Sequence, residues 1–545
     1  MTIDNDYIAE QFSLLGKLMD IHGENSFKTK SYSVAAFTLE KLPNPIQDIP
    51  AAKITSIKGI GDAIGKKIQE ILETGELRLL QQYILNTPPG VIEMLQIKGL
   101  GPKKIATIWK EMEIESVGEL LYACQENRLL LYKGFGEKSQ NSVREAIEFR
   151  LRHIGSHLYA EIEPYALQLE SALKNAFPTA QLALSGELRR QLEIITKLEF
   201  VTTAAPEATE AFISANPTDE VVAIAFIHCT PENFIHTLFE TSCSGEFLEA
   251  FRERSNPAPN PAPNPASEEV LFEQASLPYI PPFRREQRIA LEKPAIPVLQ
   301  PGDIHGIIHS HSKWSDGSNT LPEMAAACIE KGFEYLVISD HSKTAGYANG
   351  LKEDRVQAQH AEIDELNRKL APFVIFKSIE SDILGDGALD YSNDVLSTFD
   401  LVIASVHSNL KMTEEKAMSR LIRAIENPYT TILGHLTGRL LLSRPGYPLD
   451  HKKIIDACIA NHVVIELNAH PRRLDMDWRW IGSALDKGAL ISIDPDAHSI
   501  NGYKDIRYGT LAAQKAGLTP DKNLSSFTLD QFNSFLQERK KLRGI

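Results

Sequence analysis

The sequence predicts a multidomain protein: an all-α N-terminal region, a small α+β middle and a C-terminal distorted (β/α) barrel. Three observations predict it. A Gly-hydrophobic-Gly triplet recurs three times before residue 150, each copy ahead of a helical pattern. Beyond residue 300, short apolar runs at 306–309, 335–339, 374–377, 401–405, 431–433, 463–466 and 490–493 alternate with helical segments for about 240 residues, the signature of parallel strands with helical crossovers. Between these regions lies NPAPNPAPNPA, residues 256–266, a proline repeat that forms neither helix nor sheet and is expected to act as an extended spacer. The expected organisation is a helical region at 1–150, an α+β domain at 151–255, a proline-rich linker and irregular connector at 256–300, and the barrel at 301–545.

A chain of 545 residues is too long for one core. With 43% hydrophobic and 24% charged residues it has the composition of an ordinary soluble globular protein. No apolar run approaches the roughly 18 residues of a membrane span, and the first residues are acidic and polar, without the basic and apolar regions of a signal peptide. Five scattered cysteines suit reduced thiols better than a disulfide framework. A cytoplasmic protein with no membrane partner is expected. The net charge of -15 excludes a uniformly basic nucleic-acid binder. Residues 1–150, however, carry about 18 Lys/Arg against about 20 Asp/Glu, so that region is free to present local basic faces.

In the N-terminal region Ile8, Phe12, Leu15 and Met19 fall on one helical face, which suits a helical bundle. The triplets are Gly59-Ile60-Gly61, Gly99-Leu100-Gly101 and Gly134-Phe135-Gly136. Their glycines permit tight turns and close backbone approach. Each following helix offers unpaired N–H groups and the positive end of its dipole to an anion. Lys103, Lys104 and Lys138 are placed to add charge. One copy is explained as a helix-connecting turn; three copies point to helix-hairpin-helix DNA binding through phosphates, without regard to base sequence. The flanking segments, residues 27–42 and 58–77, resemble the small N-terminal domain of family X DNA polymerases. That resemblance implies a grip on the 5′ side of a gap. Some members use a lysine there as a Schiff-base lyase nucleophile, and the motif position falls on Lys67.

The middle region mixes helices with strand-like runs at residues 180–184 and 221–228. Its segment SGELRRQLEIITKLEFV, residues 185–201, resembles the family X palm, in which a Gly-Ser turn and an arginine pair precede Asp-x-Asp on a strand. Gly186, Arg189 and Arg190 match. Glu187 replaces the serine, Lys197 and Glu199 stand at the Asp-x-Asp positions, and Ala225 stands where a third aspartate belongs. Nucleotidyl transfer needs two cations clamped by carboxylates, so the expectation is a degenerate palm without polymerase activity. Its arginines are either DNA contacts or surface charges.

Polar residues gather at the C-terminal ends of the predicted barrel strands, the face where such barrels place their chemistry. His309 and His311, one residue apart in an extended segment, share a side. Asp316, His341, Glu380, His407, His435, Asp496 and His498 follow at later strand ends. Six of the chain's 16 histidines thus recur in register with three carboxylates, a set suited to zinc, manganese or iron and lacking cysteine. The series resembles the PHP (polymerase and histidinol phosphatase) domain. The resemblance implies three divalent ions per site: one on His309, His311, Glu380 and Asp496, one sharing Glu380 with His407 and His435, and one on Asp316, His341 and His498. It also implies a metal-activated water as nucleophile, with no protein nucleophile. Arg439 and Lys343 are candidate phosphate contacts, and Asp494 and His470 are read as supporting residues outside the ligand set.

Together these features resemble a bacterial family X DNA polymerase fused to a PHP domain. They imply a metal-dependent phosphoesterase acting on gapped DNA or DNA ends in repair, as a 3′–5′ exonuclease, a 3′-phosphatase or an abasic-site endonuclease. Two alternatives stay open: a small-molecule phosphatase, and a non-enzymatic DNA-binding scaffold with a structural metal cluster. Protein partners and oligomeric state leave no trace in the sequence.

Overall fold

A computed structural model of the protein describes residues 4–40, 42, 45–151, 155–217, 222–255, 264–293 and 297–545. The chain divides into two compact units, Met1–Glu148 and Phe149–Ile545.

The described part of the first unit is helical. Helix Asn5–His22 starts where the Asp4 carboxylate accepts the Tyr7 N–H at 2.9 Å and ends at Gly23 in the left-handed region. It buries Ile8, Phe12, Leu15 and Met19 completely, the face their spacing predicts, and packs against helix Ser26–Glu40. The three glycine triplets share one backbone form. Their first glycines sit at φ +97° (Gly59), +93° (Gly99) and +98° (Gly134), where a residue with a Cβ is strained by about 1–2 kcal/mol. Their second glycines lead into helices Asp62–Thr74, Pro102–Lys110 and Glu137–Leu151.

The second unit begins with a small α+β layer. Its strands are β1 (His157–Leu158), β2 (Leu182–Ser185), β3 (Ile194–Ile195), β4 (Lys197–Thr202) and β5 (Ala223–His228). β4 is central, antiparallel to β2 and parallel to β5, while β1 pairs with β3. Helix Tyr159–Ala176 buries Ile162, Ala166 and Leu173 in the core that Leu182, Leu198 and Phe200 share.

Most of the proline repeat lies outside the described residues. The stretch after it, read from sequence as an irregular connector, is packed. Phe272, Ile280 and Leu291 join Phe239, Phe247 and Phe251 in one apolar core. Arg285 is fully buried among the rings of Phe239, Phe272 and Tyr279, with its guanidinium 2.6 Å from Glu268. Its apolar residues follow neither a helical nor a strand period, so patterning alone does not reveal the packing.

Then comes the barrel: β6 (Gly306–Ser310), β7 (Tyr335–Ile338), β8 (Val374–Asp382), β9 (Leu401–Ser405), β10 (Thr430–Leu433), β11 (Val464–Asn468) and β12 (Ile491–Asp494). The seven strands are parallel and neighbour one another in chain order. The ring nearly closes through a parallel bridge between Ser310 and Ala497, where the His311 N–H donates to the Ala497 carbonyl at 2.9 Å. Every residue of β6, β7, β9, β10, β11 and β12 is buried, as expected of strands covered on both faces.

Acidic residues of the α+β layer reach arginines of the barrel. Glu163 forms a two-pronged pair with Arg507, each prong 2.6 Å long. Glu161 meets Arg472 at 2.6 Å, and Glu193 accepts from Arg479 at 2.6 Å and from the Trp478 indole at 3.2 Å. Lys515 donates to the Arg190 carbonyl at 2.5 Å, and burial pulls its ammonium down to about 8. The two-pronged Glu163–Arg507 pair holds orientation better than an exposed single one does.

Candidate metal centre

The nine residues singled out at strand ends converge at one end of the barrel, and all but His407 are at least nine-tenths buried. His309 lies inside β6 at an irregularity in its pairing, in the left-handed region at φ +59°, and His311 follows the strand's end. Asp496 follows β12 with φ +51°. Backbone strain at both suits residues held by their surroundings.

Glu380, inside β8, is the hub. Its Oε1 lies 3.3 Å from His309 Nε2, 3.1 Å from His407 Nε2 and 3.0 Å from His435 Nε2. Its Oε2 lies 2.9 Å from His341 Nδ1 and 3.7 Å from His311 Nε2. Asp496 Oδ1 is 3.1 Å from His311 Nε2 and 3.5 Å from His309 Nε2. Asp316 Oδ2 stands 3.5 Å from both His341 Nε2 and His498 Nε2. Three groups offer ligand atoms mutually within 4.8 Å: His311, Asp316, His341 and His498; His309, His311 and Asp496; His341, Glu380 and His407. His311 and His341 each belong to two of them.

Such crowding needs countercharge. Burial disfavours every ion here, yet the histidines hold the Glu380, Asp316 and Asp496 carboxyls well below the usual range. Burial opposes a charge on His309, but Glu466, Asp496 and Glu380 outweigh it and raise the imidazole. His407 is lifted to about 9 by Glu380 and Asp382 against burial. Burial, with His498 and His341 alongside, drives His311 down to about 4. His309 Nε2, His311 Nδ1, Asp316 Oδ2 and Glu380 Oε2 sit buried with no hydrogen bond of normal geometry. Unsatisfied buried nitrogen and oxygen atoms are costly, and a donor set of imidazoles and carboxylates converging in this way fits divalent cations.

A supporting layer holds these side chains, and of its members motif spacing points only to Asp494 and His470. Glu466 Oε2 is 2.5 Å from His309 Nδ1, and its Oε1 accepts the His435 N–H at 2.9 Å. Asp382 Oδ1 is 2.6 Å from His407 Nδ1. Asp340 accepts N–H and hydroxyl groups of Ser312 and Ser315 and the Gln359 amide, at 2.5–3.2 Å, which fixes the loop carrying Asp316. Asn468 bridges Glu466 and Asp496 at 3.1 and 3.0 Å. Asp494 is buried and accepts from Ser492; burial and then Glu466 raise its carboxyl. Burial lowers His470 to about 3.

Two candidate phosphate contacts are engaged elsewhere. Arg439 pairs with Asp477 at 2.5 Å and donates to the carbonyls of Arg473 and Leu474, so it secures the neighbouring loop. Lys343, exposed, pairs with Glu353 at 2.7 Å and lies over the Tyr391 ring.

In the first unit, nothing lies within 4 Å of where a Cβ would stand on Gly61, Gly101 or Gly136. All three are exposed, and Gly61 and Gly101 have ordinary negative φ. Packing therefore does not require glycine there. Lys103 and Lys138 are exposed. Lys104 instead donates to the Ser139 hydroxyl at 2.9 Å and to the Gly99 carbonyl at 3.3 Å, joining the second hairpin to the third. Lys67 is half-buried on helix Asp62–Thr74.

In the α+β layer the carboxylate set is incomplete. Glu199 pairs in register with Ala225, and Lys197 forms an ion pair with Glu199 at 2.9 Å. Arg189 is bound two-pronged to Glu268 at 3.0 and 2.6 Å, and Arg190 to Glu286 at 2.6 Å. Both arginines are thus tied to carboxylates within the unit, where the sequence leaves them as either DNA contacts or surface charges.

The fold and site define a helix-hairpin-helix chain carrying a PHP-type barrel. The helix-hairpin-helix domain family matches residues 3–77. A Bacillus subtilis (strain 168) protein, the DNA polymerase/3′–5′ exonuclease PolX, is 31% identical over 95% of this chain and 97% of its own. The chain belongs to this PolX family. A probable phosphatase of Thermoanaerobacter sp. (strain X514) is 26% identical over 43% of this chain and 96% of its own length. The probable phosphatase YcdX of Escherichia coli O127:H6 is 26% identical over 35% of this chain and 78% of its own. Among the described residues no helix is long and apolar enough to cross a membrane.

Proposed function

We propose that the chain is a DNA-binding, divalent-metal-dependent phosphoesterase that processes gaps, 3′ ends or abasic sites during repair. The observation that carries this reading is the position of Glu380, with both carboxylate oxygens among five histidines in a buried barrel end. His309, His311, Glu380, Asp496, His407, His435, Asp316, His341 and His498 would hold up to three cations, of manganese, zinc or iron. Bound there, such cations neutralise a phosphodiester's charge and activate water at neutral pH. The chain's own residues do the rest: Glu466 and Asp382 orient imidazoles, Asp340 sets the Asp316 loop, and no side chain acts as covalent nucleophile.

On this reading the three hairpins hold the sugar-phosphate backbone without base specificity, the open space at Gly61, Gly101 and Gly136 being where phosphates approach their amides. The 3′–5′ exonuclease named for the Bacillus relative favours end-resection over the other two activities. Polymerase activity is lost on this reading, because one carboxylate neutralised by Lys197 does not hold a cation pair and the arginines are bound to Glu268 and Glu286. The decisive experiment incubates purified chain and Mn²⁺ with gapped and 3′-recessed DNA. Cleavage abolished by His309→Ala and His311→Ala supports the proposal; cleavage indifferent to both, or none at all, refutes it. Turnover of small phosphate esters alone, unchanged by deleting residues 1–150, would favour a small-molecule phosphatase.

A further inference from the structure

After β10 the chain passes His435 and forms a loop, residues 437–446, around an open hollow of about 370 Å³. The loop is fastened at its base and its sides. Thr437 donates through its N–H and hydroxyl to Asp475 at 2.9 and 3.0 Å, and the Tyr447 N–H returns to the Thr437 carbonyl at 3.0 Å. Leu440 and Arg444 exchange backbone hydrogen bonds of 2.9 and 2.8 Å. The Leu441 N–H donates to the Arg472 carbonyl at 2.6 Å, and the next residue, Arg473, lies with Nε 3.8 Å from Asp496 Oδ2. The loop thus follows β10 and is tied to the segment after β11, so it stands on the barrel end that carries the ligand cluster.

At the loop tip stands Leu442, 45% exposed, with φ +60°. Both features run against local preference. A leucine in the left-handed region is strained where glycine or asparagine is at ease, and an apolar side chain on a tightly fastened tip gains nothing from water. Strain that its surroundings maintain at such a place signals function.

We infer that Leu442 is an unpairing wedge that inserts at the terminal base pair of a DNA duplex and frees the 3′ strand for the metal centre. This rests on the phosphoesterase reading above and specifies its substrate. The proposed ligand atoms are buried, so a phosphate must be brought down to them, which a stacked and paired terminus resists. An apolar side chain held rigidly at this end of the barrel replaces the lost stacking of the terminal base, as apolar wedges do between base steps.

The test uses the full chain with Mn²⁺ and one strand sequence presented as a single strand, a fully paired 3′ end and a 3′ end with a terminal mismatch. For Leu442→Gly, which relieves the strain and so keeps the fold, the ratio of paired-end to single-strand rate is expected to fall about tenfold, the cost of breaking about one base step. The ratio of mismatched-end to single-strand rate is expected to hold, and Leu442→Phe to restore the paired-end ratio. A 2-aminopurine at the paired 3′ terminus should brighten on binding to the unchanged chain and not to Leu442→Gly. Unaltered ratios, or equal brightening with both proteins, overturn the wedge alone. If the unchanged chain cuts none of the three DNAs, the phosphoesterase reading falls, and the wedge with it.

Discussion

Glu466 Oε2 lies 2.5 Å from His309 Nδ1, so the imidazole turns its Nε2 toward Glu380 and Asp496. Carboxylates in this position fix the tautomer and strengthen the ring as a ligand. Glu466→Gln is expected to weaken cation binding about 10–100-fold while leaving the fold intact. Calorimetric titration of the stripped chain with Mn²⁺ checks this. An unchanged affinity would show that Glu466 merely fills space.

Glu380 touches ligands of more than one group, so its loss should cost at least one ion. Glu380→Gln keeps the volume and removes the charge. Elemental analysis should then find at least one metal ion fewer per chain than in the unchanged protein, and DNA cleavage should drop by 10²-fold or more, by about 3 kcal/mol of lost stabilisation. Full metal content in the variant would remove Glu380 from the hub.

The second glycines of the hairpins separate a binding role from a folding one. Gly101→Ala and Gly136→Ala meet open space, so any loss of thermal stability should stay within the roughly 1 kcal/mol that alanine costs at a helix N-cap such as Gly101. If the hairpins bind DNA as proposed, affinity should nevertheless fall several-fold, because the added methyl would stand where a phosphate approaches. Lys103→Ala is expected to lower the slope of log affinity against log salt by about one. Lys104→Ala should act through stability instead, since its ammonium joins two hairpins. Unaltered binding in the glycine variants would reduce the hairpins to connecting turns.

Asp505 supplies a pH test away from the ligands. Burial raises its carboxyl from 3.8 to about 7, Lys504 offsetting only part. Between those values the folded state binds the proton and the unfolded state does not, so its contribution to stability is full at low pH and lost as pH rises to 7. Asp505→Asn should therefore stabilise the chain at pH 8, by up to about 4 kcal/mol, and have little effect near pH 4. Melting curves at the two pH values decide, and an equal shift at both would contradict the assignment.

The sequence reveals the barrel because its strands are short apolar runs closed by chemistry. Leu401–Ser405 is the predicted run unchanged. β8 runs on to Asp382, past the predicted end at Lys377, because buried Ser378, Glu380, Ser381 and Asp382 interrupt the apolar pattern. The ligand set is legible for the same reason: imidazoles and acids at strand ends are rare in a core. Glu466 is not, since it is one acid in a strand and gains meaning only from a histidine 157 positions away. The packed segment around Phe272 also escapes notice, its apolar residues having no period. Leu442 looks like any loop leucine until its φ is known.

The pairs joining Glu161, Glu163 and Glu193 to the barrel carry an evolutionary consequence. A domain that has lost its reaction ordinarily drifts or is deleted. Here the α+β layer also walls one flank of the barrel, and excising it would remove the carboxylates that Arg472, Trp478 and Arg507 meet. Selection can therefore preserve its barrel-facing surface whatever becomes of its own chemistry, and substitutions should accumulate fastest around Lys197 and slowest along the seam.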